Sequence, residues 1–127
     1  MNKIIDAAVK PIVLAARKIY IAGPMSGIRE FNRPAFFAAE EYLIEHGAKV
    51  MNPATLPIGF EHHEYMKIAM PMLDACDVVA FLPGWQLSKG ARVEFTTAHH
   101  SSKLLLCLDV EHVAGKPWIK SHGPLMI

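Results

Sequence analysis

Asp77-Val78-Val79-Ala80-Phe81-Leu82 runs directly into Pro83-Gly84-Trp85-Gln86-Leu87-Ser88-Lys89-Gly90-Ala91-Arg92-Val93-Glu94. The first six residues read as a buried strand. The Pro/Gly/Ser turn that follows leads into a helix over Ala91 to His100. A strand, a tight turn and a helix start form the unit with which open α/β folds hold ligands at the carboxyl ends of their strands.

Working outward, the same alternation recurs. Lys18 to Ala22 reads as a strand and ends in Gly23-Pro24-Met25-Ser26-Gly27. That loop's backbone can approach a ligand closely, yet it is not the G-x-G-x-x-G dinucleotide fingerprint. Asn32 can cap a helix with Pro34 in its first turn, Phe36, Ala39 and Leu43 on one face, and Gly47 as its stop. Ala48 to Met51 reads as a second strand. Glu61 to Cys76 reads as helix with Pro71 inside it, which predicts a kink or a second helix opening at Pro71. Leu104 to Leu108 reads as a fourth strand. Beyond it, Gly115, Pro117, Gly123 and Pro124 argue against long regular structure.

The order β-α-β-α-β-α-β predicts an α/β fold. Its expected form is a doubly wound, Rossmann- or flavodoxin-like parallel sheet of four to five strands with helices on both faces. The expected division is an N-terminal extension over 1–16, a domain over 17–110 and a C-terminal tail over 111–127. Residues 2 to 16 have helix-compatible spacing broken by Pro11, which suits either a docking amphipathic helix or a disordered arm.

Composition excludes several function classes. The 127 residues are 52% hydrophobic and 20% charged, with a formal net charge of +1. No basic field marks a nucleic-acid polymer or a membrane surface as partner. No apolar run nears the roughly 18 residues needed to span a bilayer. Asp6 and Lys10 interrupt what could otherwise pass for a signal peptide. Cys76 and Cys107 do not make a disulfide framework, and a reducing cytoplasm is the expected setting.

Several residues near the two loops could carry chemistry. Glu94, close to a helix start, is expected to stay ionised, as suits a nucleophile. Taken alone, it is more readily read as a solvated first-turn residue. Ser88 is placed to cap that helix, to contact a phosphate at its N-terminus, or both. Tyr20 is either a core aromatic or a hydroxyl at the sheet edge. Trp85 can stack on a nucleobase or cover the core. Lys89 and Arg92 add positive charge nearby. Glu61-His62-His63-Glu64 contains metal-capable side chains, but adjacent histidines face different ways and His-Glu-x-x-His spacing is absent. No metal or cofactor is expected.

Four segments together carry a resemblance. They are Ile19-Tyr20-Ile21-Ala22-Gly23-Pro24-Met25-Ser26-Gly27, Asn32-Arg33-Pro34-Ala35-Phe36, Val50-Met51-Asn52-Pro53-Ala54, and Leu82-Pro83-Gly84-Trp85 followed by Ser88, Gly90, Ala91 and Glu94. Over roughly residues 17 to 110 the chain resembles a family of small phage and prophage proteins of unassigned function. That family is similar to nucleoside 2-deoxyribosyltransferases and 2'-deoxynucleoside 5'-phosphate N-hydrolases. The resemblance implies a homodimer or higher homo-oligomer acting on a nucleotide or nucleoside. It implies Glu94 as a nucleophile at the sugar's anomeric carbon, oriented by Tyr20, in a retaining glycosyl transfer. It further implies Ser88 at a 5'-phosphate.

Substrate-binding roles are expected for Gly23, Pro24, Met25, Ser26, Gly27, Trp85, Ser88 and Gly90. One departure stands out. The enzymes carry an acid that assists the departing base, and here that position is Ala69, with Glu64 or Asp74 as the nearest replacements. The expected function is N-glycosidic cleavage or deoxyribosyl transfer on a nucleoside 5'-monophosphate. The rival expectation, motivated by Ala69, is a protein that binds a nucleotide or nucleotide signal without turning it over.

Overall fold

The structure, a computed structural model, describes residues 12–126. Of the N-terminal stretch read as helix or disordered arm, residues 2–11 lie outside them, and residues 12–16 form no helix. The regular elements are β1 (Lys18–Ala22), α1 (Arg33–Glu45), β2 (Lys49–Met51), α2 (His62–Asp74), β3 (Val78–Phe81), α3 (Lys89–His100), β4 (Leu104–Val113) and β5 (Lys116–Pro124). One five-stranded sheet runs in the order β2-β1-β3-β4-β5. The first four strands pair in parallel, and β5 pairs antiparallel to β4. The fold is therefore mixed α/β with a mostly parallel sheet.

The two central strands explain the layering. Every residue of β3, and all of β1 after Lys18, is buried, as expected of strands covered on both faces. Side chains alternate between the faces with period two. Ile19, Ile21, Val78 and Ala80 pack with Phe36, Ala39 and Leu43 of α1 on one side. Tyr20, Ala22, Val79 and Phe81 pack on the other with Ala69 and Leu73 of α2 and Ala98 of α3. Completely burying a side chain the size of Leu43 or Phe36 stabilises by about 1.5–3 kcal/mol.

Helix ends are set locally, with two departures from expectation. Asn32 occupies the N-cap position of α1, but its amide donates to the Pro24 carbonyl (2.9 Å) instead of capping. The helix α2 runs unbroken through Pro71. It starts in a reciprocal capping box between Glu61 and Glu64, which occupies two of the side chains in the Glu61–Glu64 run. At its other end the Lys103 ammonium donates to the Cys76 carbonyl at 2.6 Å.

The expectation of an irregular tail after Asp109 is corrected. Leu104 to Pro124 forms a β-hairpin, turned by Ala114 (φ 53°) and Gly115 (φ 78°). Two successive positive φ values give the turn twist that matches a right-handed strand pair. The residues read as breakers are tolerated for separate reasons. Gly115 builds the turn, while Pro117 and Pro124 lie on an edge strand, where a missing donor need not break a ladder.

Candidate functional site

The site begins with one side chain on β1. Tyr20 points to the α2/α3 face and is completely buried. Its hydroxyl donates a hydrogen bond to the Glu94 carboxylate of α3. Glu94 itself is only 6% exposed. Small neighbours make this possible, because Ala91 and Ala98, one turn either side of Glu94, are buried and let α3 sit close to the sheet.

The electrostatics of the pair differ from what a helix start alone predicts. Glu94 lies in the second turn of α3, where the helix dipole has faded. Loss of water dominates and pushes its carboxyl up to about 7, while the Tyr20 hydrogen bond opposes the rise. The expectation that Glu94 stays firmly ionised is thus corrected. Burial and the neighbouring carboxylate hold the Tyr20 phenol well above its ordinary range, so Tyr20 remains a neutral donor.

Tyr20 and Glu94 form the floor of a cavity of about 780 Å³ at the carboxyl edge of the sheet. That volume falls within the range of small-molecule sites. Of the residues singled out in the sequence, the cavity gathers Tyr20, Gly23, Pro24, Met25, Ser26, Ser88, Lys89, Gly90 and Glu94, and His62 of the Glu61–Glu64 run. The Ser88 hydroxyl accepts from the Ala91 amide at 3.2 Å, so it does cap α3 while lining the cavity. Gly27 and Trp85 are not among the lining residues. Trp85 stacks on Phe95, with ring centres 4.9 Å apart, and packs against Phe81.

Two glycines serve packing. A Cβ on Gly23 would lie 2.8 Å from the Leu82 Cβ, so only glycine lets β1 leave the sheet beside β3. A Cβ on Gly90 would lie 3.3 Å from the His62 ring, so Gly90 admits the start of α2 against the start of α3.

Sequence reading left the opposite wall unassigned. Phe31, Arg33, Leu56, Ile58, Phe60, His62, Tyr65 and Met66 all line the cavity. Glu30, Phe31 and Asn32, with φ of 54°, 54° and 58°, form three successive left-handed residues. Each costs about 1–2 kcal/mol in a residue with a Cβ. The Asn32–Pro24 hydrogen bond holds this strained turn in place. Next in the chain, the Arg33 guanidinium donates from Nη2 to the Leu56 carbonyl at 2.5 Å, and its buried Nε has no hydrogen-bond partner. One signal for Arg33 existed in the sequence: a cation in the first turn of a helix opposes the helix dipole.

Ala69 is buried and faces the cavity. Neither Glu64 nor Asp74 lines it. Glu64 is engaged with the Glu61 amide at 2.8 Å, and Asp74 ends α2. Among the described residues no cluster of three His, Cys, Asp or Glu side chains could hold a metal, and no helix is long and apolar enough to cross a membrane.

The floor can supply one carboxyl group poised between its charged and neutral forms and one fixed hydroxyl donor. The walls supply two cations, Arg33 and Lys89, a capped helix start and apolar surface. No curated protein matches the chain in sequence. The model of a family described only as a domain of unknown function, DUF4406, matches residues 17–107, and the chain belongs to that family.

Proposed function

We propose that this cavity cleaves or transfers the N-glycosidic bond of a nucleoside or deoxynucleoside 5'-monophosphate, with Glu94 as nucleophile. The observation that carries the reading is the Tyr20–Glu94 pair, buried at the floor of a cavity on the carboxyl edge of the sheet. We read the α/β core around it as the doubly wound, Rossmann- or flavodoxin-like arrangement. Its site would serve a small-molecule nucleotide in the cytoplasm, within a homo-oligomer.

In this mechanism the ionised Glu94 attacks the sugar's anomeric carbon. The C–N bond breaks with its electron pair leaving on the base nitrogen, and a C–O bond forms to Glu94. Tyr20 holds the attacking carboxylate by donating its hydroxyl proton to one oxygen. Water or a second base then displaces Glu94, and the configuration at the anomeric carbon is retained. The phosphate lies at the start of α3, where Ser88 and the free amides of the first turn favour an anion. With Ala69 facing the cavity, the departing base takes its proton from water. Forgoing a positioned acid costs about 10²–10⁴ in rate.

The test is incubation with a panel of deoxynucleoside monophosphates, with detection of free base and of a glycosyl adduct on the quenched protein. The expected result is free base from at least one nucleotide and an adduct mapped to Glu94. Ala69 also supports a second reading, a nucleotide-binding protein without turnover. Under that reading a nucleotide raises the melting temperature and is recovered unchanged.

A further inference from the structure

The Arg33 guanidinium presents an unmet demand. Arg33 is half-buried, and a cation that loses part of its water gains most from a partner that offers several acceptors. Here the observed partner of Arg33 is a neutral carbonyl, that of Leu56, and Nε is buried without any partner. The position adds to the cost, since Arg33 is the first residue of α1, at the positive pole of that helix. It is also presented by three left-handed residues in a row. Such strain tends to persist where it serves a function. The side chain lines the same cavity as Glu94.

Strand order says which part of a ligand Arg33 meets. In β2-β1-β3 the loop after β2 and the loop after β3 flank β1 from opposite sides. Arg33 is tied to Leu56, after β2, whereas Ser88 and the start of α3 follow β3. Those walls are separated by two strand spacings, about 10 Å. Tyr20 of the middle strand and Glu94 form the floor between them. A nucleotide with phosphate at α3 and sugar over Glu94 therefore lays its base on the Arg33 wall. That wall also carries the exposed Phe31 and Ile58, which suit the face of a planar ring.

We infer that Arg33 selects the base, and that the base it selects is a 6-oxopurine. This inference rests on the proposed nucleotide reading of the site. A guanidinium offers a rigid fork of N–H donors and accepts nothing. O6 and N7 of a 6-oxopurine are two adjacent acceptors that match this fork. Adenine places a donor at the first of those positions and is rejected. The bicyclic ring also makes better use of a 780 Å³ cavity than a pyrimidine does.

The experiment measures dissociation constants by calorimetry for dGMP, dIMP, dAMP, dCMP and dTMP, with wild type, Arg33→Lys and Arg33→Met. Wild type should bind dGMP and dIMP about 10- to 100-fold tighter than dAMP. Arg33→Lys keeps the charge but loses the fork, so the preference should collapse to a few-fold. If Arg33→Met folds poorly, Arg33→Lys carries the comparison. Equal binding of all bases by wild type, or a lead for dAMP, dCMP or dTMP, overturns the inference alone. So does a uniform weakening by both variants, which places the guanidinium on the phosphate. Failure of every nucleotide to bind overturns both the inference and the reading of the site.

Discussion

At the floor of the cavity a tyrosine and a glutamate are shut away from water, while at its rim Leu87, Ile58 and Phe31 expose 88%, 64% and 50% of their surface. A folded protein ordinarily does the reverse. The floor holds a carboxyl group that burial disfavours in its charged form. The rim leaves uncovered apolar surface, which in soluble proteins marks places where something binds. Each departure carries a cost to the unliganded protein, and both are found in one 780 Å³ space. The difference lies in how firmly each is held. Tyr20 and Glu94 sit on a central strand and a helix packed on it, whereas the rim residues lie in loops and short turns.

The comparison can be broken most severely at the floor. Glu94→Gln should lower nucleotide cleavage by on the order of 10⁴-fold or more, measured as free base released, with little change in nucleotide affinity. Wild-type kcat/KM should rise with pH through about 7, as Glu94 ionises.

The next largest effect is on stability. In the unfolded chain Glu94 ionises near 4.5, and in the folded protein near 7. Between those values the folded state binds more protons, so stability falls as pH rises across the window. The loss from this group is about 3 kcal/mol, complete above pH 7 and absent below 4.5. Glu94→Gln should remove it. Urea unfolding should find the variant more stable than wild type at pH 8 and close to it near pH 4.5.

Tyr20→Phe tests the other half of the floor. Removing the hydroxyl leaves the Glu94 carboxylate without its buried donor, at a cost of about 1–3 kcal/mol above pH 7. Since that hydrogen bond lowers the Glu94 value, the rising limb of the rate profile should also move to higher pH. The smallest effect belongs to the rim. Leu87→Ser should change stability by no more than about 0.5 kcal/mol, because an exposed side chain loses little packing. A large loss of stability there would show that rim and floor are not built differently after all.

Much of the fold was legible because it rests on local regularities. β3, and β1 after Lys18, read as short apolar runs, and Gly47 and Ser88 mark the end and start of helices as found. The C-terminal hairpin was not legible. Its glycines and prolines act as breakers in isolation, and only pairing with β4 turns Pro117 and Pro124 into edge positions. At the cavity, Ser88 and Glu94 are legible as parts of a strand-turn-helix unit, whereas Tyr20 on its strand reads equally as a core aromatic. The direction of the Arg33 side chain and the choice between the two readings of Trp85 are not legible in the sequence. Which way an arginine or tryptophan side chain turns depends on neighbours distant in sequence, here Leu56 for one and Phe81 and Phe95 for the other.

By itself the sequence determined the alternation of strands and helices, the ends of most of them, and the residues able to do chemistry at one edge of a sheet. Period-two and helical spacing, capping and turn preferences act over a few residues, so they survive without the rest of the chain. The tertiary structure decided the protonation balance of Glu94, the antiparallel fifth strand and the wall that carries Arg33. Each depends on exclusion of water or on contact between segments far apart in the chain, as Tyr20 is from Glu94 across 74 positions.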